Sequence, residues 1–175
     1  MTVGAYLVVD ACIARSAANP SSSSVALASA SLLNLLMRRN CRTGIVVTPL
    51  ILHEWQKHSS ALASRFLASI ISRRRHLELA DAQARDFRSA IDDHLSGGEA
   101  EMVLKDAHMT EVALLKSHPI ASLDDKQRRA LQRLAVHYAL LSRVEWFNPV
   151  RDDGWSAWVE AGMPSGAFDC RLDAD

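Results

Sequence analysis

The chain has 175 residues, 49% of them hydrophobic, and its 20 basic and 20 acidic side chains balance to a formal charge of zero. That apolar content suffices for one domain with a real core and excludes a disordered tail protein. Zero net charge excludes a protein that coats nucleic acid through its overall field, so any polyanion contact must come from local groups. Those groups are Arg73-Arg74-Arg75-His76, Arg38-Arg39, and Arg128-Arg129 with Arg133. Each also fits a solvated helix face or a helix C-terminus, where cations complement the dipole.

Cys12, Cys41 and Cys170 are too few and too scattered for a disulfide framework, and no Cys-x-x-Cys pair suggests zinc. A reducing compartment fits. The first residues lack a charged leader and a cleavage site, and no segment approaches the roughly twenty apolar residues needed to span a bilayer. A cytoplasmic protein with no membrane partner is expected.

Ala5 to Val9 (AYLVV) is a continuous apolar run that stops at Asp10, the pattern of a strand buried on both faces of a parallel sheet. Asp10 then stands at the carboxyl edge, where open α/β sheets bind ligands, or serves as a plain helix cap. Asn19-Pro20 and Ser21 to Ser24 form a turn and a helix start. A helix follows from Val25 to Arg39, with Leu32, Leu33, Leu35 and Leu36 as its core face.

Ile45 to Val47 form a second strand, and Thr48-Pro49 supply the N-cap and first residue of the next helix. Glu54 falls about one and a half turns into that helix among apolar neighbours. An acid so placed is expected to be paired or coordinating. Glu54 and His58 are one helical turn apart, but no second histidine is placed to complete a zinc site. Helices are expected over Ala61 to about Arg75 and Ala80 to about Leu95, with Leu77, Glu78 and Leu79 as a connector.

Ser96-Gly97-Gly98-Glu99 has capping-box spacing, which explains Glu99. Asp106 lies two turns further into the same predicted helix, beyond the reach of capping or the dipole, on a mostly apolar face. Pro119 to Leu123 reads as a strand closed by Asp124-Asp125. Asp125 is the better placed to cap the helix Lys126 to about Leu141, which leaves Asp124 over. Arg143 to Phe147 reads as the last strand. A short amphipathic segment around Trp155 and Trp158 follows, with these tryptophans expected to pack the tail onto the body.

Four acids thus share one description: Asp10, Glu54, Asp106 and Asp124 sit at strand ends or on helix faces directed to the same sheet edge. Carboxylates gathered in this way repel, and hard divalent cations such as Mg²⁺ or Mn²⁺ relieve the repulsion.

In its VVDA with Asp10, TPLILHEW with Glu54, KDAHMTEVALLKSHP with Asp106, and IASLDD with Ser122 and Asp124, the sequence resembles the PIN domain family of VapC-type toxins and RNA-processing nucleases. The eighteen-residue step from Asp106 to Asp124 is similar to that family's spacing. The resemblance covers roughly residues 5–150 and implies a three-layer α/β fold with a mainly parallel central sheet flanked by helices, residues 151–175 forming a tail that packs on it or extends from it. It also implies a metal-dependent ribonuclease acting on RNA. Asp10, Asp106 and Asp124 would hold Mg²⁺ or Mn²⁺, Glu54 would help to hold metal or orient water, and Asp125 could assist or replace Asp124. Further partners to test are a cognate antitoxin and a second copy of the chain in a homodimer. The alternative is a PIN-fold module that binds RNA or protein without cleaving. A haloacid dehalogenase would want an acid where Cys12 stands, and a receiver domain an acidic pair near the first strand.

Overall fold

In the computed structural model, which describes residues 3–58 and 60–173, strands and helices alternate along the chain. Strand β1 (Ala5–Val9) is followed by α1 (Ala11–Ser16), α2 (Ser24–Met37), β2 (Thr43–Val47), α3 (Pro49–Lys57), α4 (Ala61–Ser72) and β3 (His76–Glu78). Helices α5 (Arg85–His94), α6 (Gly97–Lys105) and α7 (Ala107–Lys116) then lead to β4 (Ile120–Ala121). Helix α8 (Asp125–Ala135) and a 3₁₀ turn (Ala139–Arg143) lead to β5 (Trp146–Phe147), and α9 (Trp155–Ala161) comes last.

The strands form one sheet in the order β3-β2-β1-β4-β5, with every neighbouring pair parallel. The chain winds outward from β1 through β2 to β3, then returns to the other side of β1 for β4 and β5. Right-handed crossovers in opposite directions place helices on opposite faces. Helices α1, α2, α4 and α9 pack together on one side and α5, α6 and α8 on the other, with α7 against β1 and β4. This is the three-layer α/β fold expected from the sequence. The strands are apolar on both sides because both sides are covered: Leu7, Val8, Ile120, Trp146 and Phe147 are fully buried.

Several local readings need correction. The segment 77–79 is not a connector, since His76–Glu78 pairs with β2 as the edge strand β3. A strand this short carries almost no periodic signal. Helix α4 stops at Ser72 rather than near Arg75, and α5 begins at Arg85 rather than Ala80. Ser59, which precedes the first of these predicted helices, lies outside the described residues. Ser96 makes no side-chain cap, because Gly97 adopts φ +56° and turns the first residues away from capping-box geometry, while Glu99 pairs with Arg133 on α8. The helix after Asp125 ends at Ala135, and only Trp146–Phe147 of the last predicted strand is paired as strand.

The tail belongs to the body. Trp158 and Val159 are buried, Thr43 Oγ1 donates to Val159 O at 2.5 Å, and Leu172 N donates to Val144 O at 2.9 Å. Arg75 fastens the same corner. The residue is 9% exposed, and its guanidinium donates to the carbonyls of Leu36, Arg38, Cys41 and Thr43 at 2.5–2.9 Å, closing the C-terminal end of α2. Across the sheet from Tyr6, Gly44 is required by space: a Cβ there would meet Arg75 O at 2.6 Å and the Tyr6 ring at 2.9 Å.

Candidate metal centre at the carboxyl edge of the sheet

The winding direction changes between β1 and β4, and the carboxyl ends of these neighbouring strands border a crevice, the usual ligand site of an open parallel sheet. A cleft of about 130 Å³ opens there, lined by Asp10, Glu54, Asp106 and Asp124 together with Cys12, Arg15, His58, Lys105 and His108. The four acids picked out in the sequence therefore do meet. Each arrives on a different element.

Asp10 follows β1 at the carboxyl edge of the sheet and is also the N-cap of α1. Its Oδ1 accepts from Cys12 N at 2.9 Å, and its Oδ2 accepts from Ser122 Oγ at 2.5 Å and Cys12 Sγ at 2.9 Å. These three donors fix the carboxylate's rotamer. Ser122 is fully buried, and its oxygen also accepts from Asp124 N at 3.1 Å, which joins the ends of β1 and β4 through one hydroxyl. Burial, reinforced by the Asp10 charge, pushes the Cys12 thiol far above its ordinary pKa, so it stays a protonated donor to Asp10.

Asp106 is not mid-helix. The predicted single helix breaks there: α6 ends at Lys105, Asp106 takes φ −109° and ψ 17°, and α7 starts at Ala107. Aspartate is a poor helix former, and the break removes the conflict that its placement posed. Among the described residues its carboxylate has no hydrogen bond and no ion pair. Partial burial raises its pKa, and the negative charges of Asp10 and Asp124 raise it further, while Lys105 and His108 partly offset them.

Asp124, not Asp125, is the cap of the next helix, α8. Its Oδ1 accepts from Lys126 N at 3.0 Å and Gln127 N at 2.9 Å, and it still borders the cleft. Asp125 is held away by Asn148 Nδ2 at 2.8 Å and Arg151 Nε at 2.5 Å. The Leu123 N to Cys12 Sγ hydrogen bond helps to set this turn, a tertiary contact that spacing cannot reveal.

Glu54 is on the opposite wall, on the face of α3 that also carries Ile51 and His58. It is at the rim rather than buried: its side chain is 35% exposed and Lys57 Nζ donates to Oε1 at 2.8 Å, which lowers its pKa. The buried neighbour is Trp55, whose Nε1 donates to Val9 O at 2.9 Å and whose ring stacks on Phe66. Trp55 therefore ties α3 to the end of β1 and holds Glu54 across from Asp10.

The sequence reading passed over Arg15, Lys105 and His108 as cleft residues. Arg15 is one turn after Asp10 in the short helix that follows β1, and Lys105 and His108 flank Asp106, so adjacency to the acids was the available signal. Among the described residues, no three His, Cys, Asp or Glu side chains are placed closely enough to hold a metal ion together. The donors are nonetheless carboxylate oxygens suited to a hard cation, and Asp106 is a half-buried carboxylate without a hydrogen-bond or ion-pair partner among the described residues.

Fold and site together define an α/β protein with an acid-lined cleft at the switch point of an all-parallel sheet. No family model matches the chain, and no curated protein matches it at a significant level. No helix among the described residues is long and apolar enough to cross a membrane.

Proposed function

We propose that the protein is a divalent-metal-dependent endoribonuclease of the PIN-domain type, hydrolysing RNA phosphodiesters at this cleft. One observation carries the proposal. Asp10, Asp106 and Asp124 come from three separate elements to one crevice, where the half-buried carboxylate of Asp106 makes no hydrogen bond or ion pair among the described residues and faces the charges of the other two, with Lys105 beside it.

Asp10, Asp106 and Asp124 are the residues that would hold Mg²⁺ or Mn²⁺. When bound, such a cation supplies Lewis-acid polarisation of the phosphodiester and activates water at neutral pH. The chain's own residues do the rest. Ser122 and Cys12 hold Asp10 in a single orientation, Arg15 and Lys105 bring positive charge to a phosphate, and Glu54 faces the centre from α3, placed to accept a proton from water. As the toxin of a toxin–antitoxin pair, the protein would be silenced by an antitoxin that covers the cleft.

The reading as a non-catalytic RNA- or protein-binding module draws on Glu54, whose charge is already matched by Lys57. Cleavage of a mixed RNA pool with Mn²⁺, Mg²⁺ or EDTA separates the two. The nuclease cleaves with metal and not with EDTA, and Asp106→Asn abolishes cleavage. No cleavage by the wild type with either metal, and no metal-induced rise in melting temperature, favours the binding module.

A further inference from the structure

At the opposite, amino-terminal edge of the sheet, the chain ends of α2 and α4 come together. Arg73 Nη1 donates to Met37 O at 2.7 Å, and Arg75 spans the carbonyls of Leu36, Arg38, Cys41 and Thr43. Arginines at helix C-termini ordinarily answer the dipole and the orphan carbonyls. Here Arg73 and Arg75 already fill that role, and four more remain in the same place. Arg38, Arg39, Arg42 and Arg74 are all exposed. Among the described residues the one acid paired with any of them is Glu160, 3.7 Å from Arg38.

In a chain of zero net charge this is a marked local excess. Elsewhere Arg88 pairs with Glu111, Arg128 with Asp152, Arg133 with Glu99 and Arg151 with Asp125, and the exposed arginines without an ion pair among the described residues, such as Arg65, Arg85 and Arg143, lie apart along the chain. Arg74 also stands at φ +53°, a left-handed position at the end of α4 where glycine is the less costly residue.

We infer that Arg38, Arg39, Arg42 and Arg74 form a second, phosphate-binding surface that holds the backbone of a long RNA away from the cleft. Guanidinium groups match phosphate oxygens in a bidentate fork, and an unpaired cluster of them gives the local positive field that the whole chain lacks. The choice of RNA among polyanions rests on the ribonuclease reading. Strand β2 runs from this surface toward the cleft, and its five residues span about 16 Å. Because β2 is buried under helices, the path over the surface is longer than the strand, so a tetranucleotide seated in the cleft leaves the surface empty, whereas a folded RNA reaches both.

The test is fluorescence anisotropy in EDTA, where no cleavage occurs, with a transfer-RNA-sized RNA and with a tetranucleotide. The variant Arg38→Gln/Arg39→Gln/Arg42→Gln/Arg74→Gln is compared with Arg65→Gln/Arg85→Gln/Lys116→Gln/Arg143→Gln, which removes the same charge from other exposed positions. The first variant is expected to bind the long RNA at least tenfold more weakly. Its log–log salt dependence should be shallower by about 3, at roughly 0.7 per lost single-strand phosphate contact. The control is expected to change binding less than twofold. With Mn²⁺, the first variant should raise KM for long RNA while cleaving the tetranucleotide as wild type does. Equal losses in both variants, unchanged binding in the first, or wild-type binding to phosphatidylserine vesicles but not to RNA would each overturn the inference. Binding lost only in the first variant, with a wild type that never cleaves, would uphold this surface and refute the nuclease reading alone.

Discussion

Replacing Ser122 with alanine tests whether a single buried hydroxyl organises the acidic edge. The hydroxyl donates to Asp10 Oδ2 at 2.5 Å and accepts from Asp124 N at 3.1 Å, and the residue is 0% exposed. A hydrogen bond to a charged group is worth about 1.5–3 kcal/mol and a neutral one about 0.5–1.5 kcal/mol, so Ser122→Ala should destabilise the fold by about 2–4 kcal/mol. At about 2–4 °C per kcal/mol for a chain of this size, melting in EDTA should fall by roughly 4–16 °C. Because Asp10 also loses an orienting donor, the Mn²⁺ concentration that half-saturates the rise in melting temperature should increase about 10–100-fold. Thr110→Val is the matched contrast. Thr110 is equally buried, but its hydroxyl has no partner among the described residues, so removing it should be neutral or stabilise by about 1 kcal/mol. Equal effects of the two substitutions would refute the reasoning, as would a Ser122→Ala protein with unchanged melting and unchanged response to Mn²⁺.

Arg75→Ala strands four carbonyls at the junction of α2 and β2 and should cost about 3–5 kcal/mol, seen as a lower urea midpoint with an unchanged slope. Arg75→Lys, with three donors for four acceptors, should fall between that variant and wild type. In EDTA, Asp106→Asn should melt higher than wild type, because it removes a charge that Asp10 and Asp124 oppose; a lower melting temperature would count against that repulsion. Burial holds the His118 pKa below its ordinary 6.5, so the unfolded chain takes up a proton before the folded one does. Its contribution is present above pH 6.5 and is lost as pH falls through the folded value. Urea unfolding at several pH values between about 7.5 and 5 should show the stability advantage over His118→Gln shrinking toward acid. A difference independent of pH would contradict it.

The sheet was legible where strands are buried on both faces, because AYLVV and the run before Thr48-Pro49 are continuous and end at recognisable caps. The short strand His76–Glu78 was not, since three residues at an edge carry too little pattern to distinguish from a connector. The four acids were legible as a set because each stands at a strand end or an unfavourable helical position, places where local physics gives a carboxylate little reason to be. Their individual surroundings were not. Glu54 was expected to be buried, yet Trp55 takes the core side of α3 and leaves Glu54 at the rim beside Lys57. Asp125 was the expected cap, yet Asn148 and Arg151 claim it and leave the role to Asp124.

By itself, then, the sequence determined the alternation of elements, the apolar strands, and which carboxylates lie near one edge, since these follow from periodicity, capping and the direction of parallel strands. Only the tertiary structure decided the break at Asp106, the Ser122 bridge between Asp10 and Asp124, and the convergence of arginines from α2 and α4. Each depends on contacts between residues far apart in the chain, and their partners become neighbours only once the crossovers have closed the sheet.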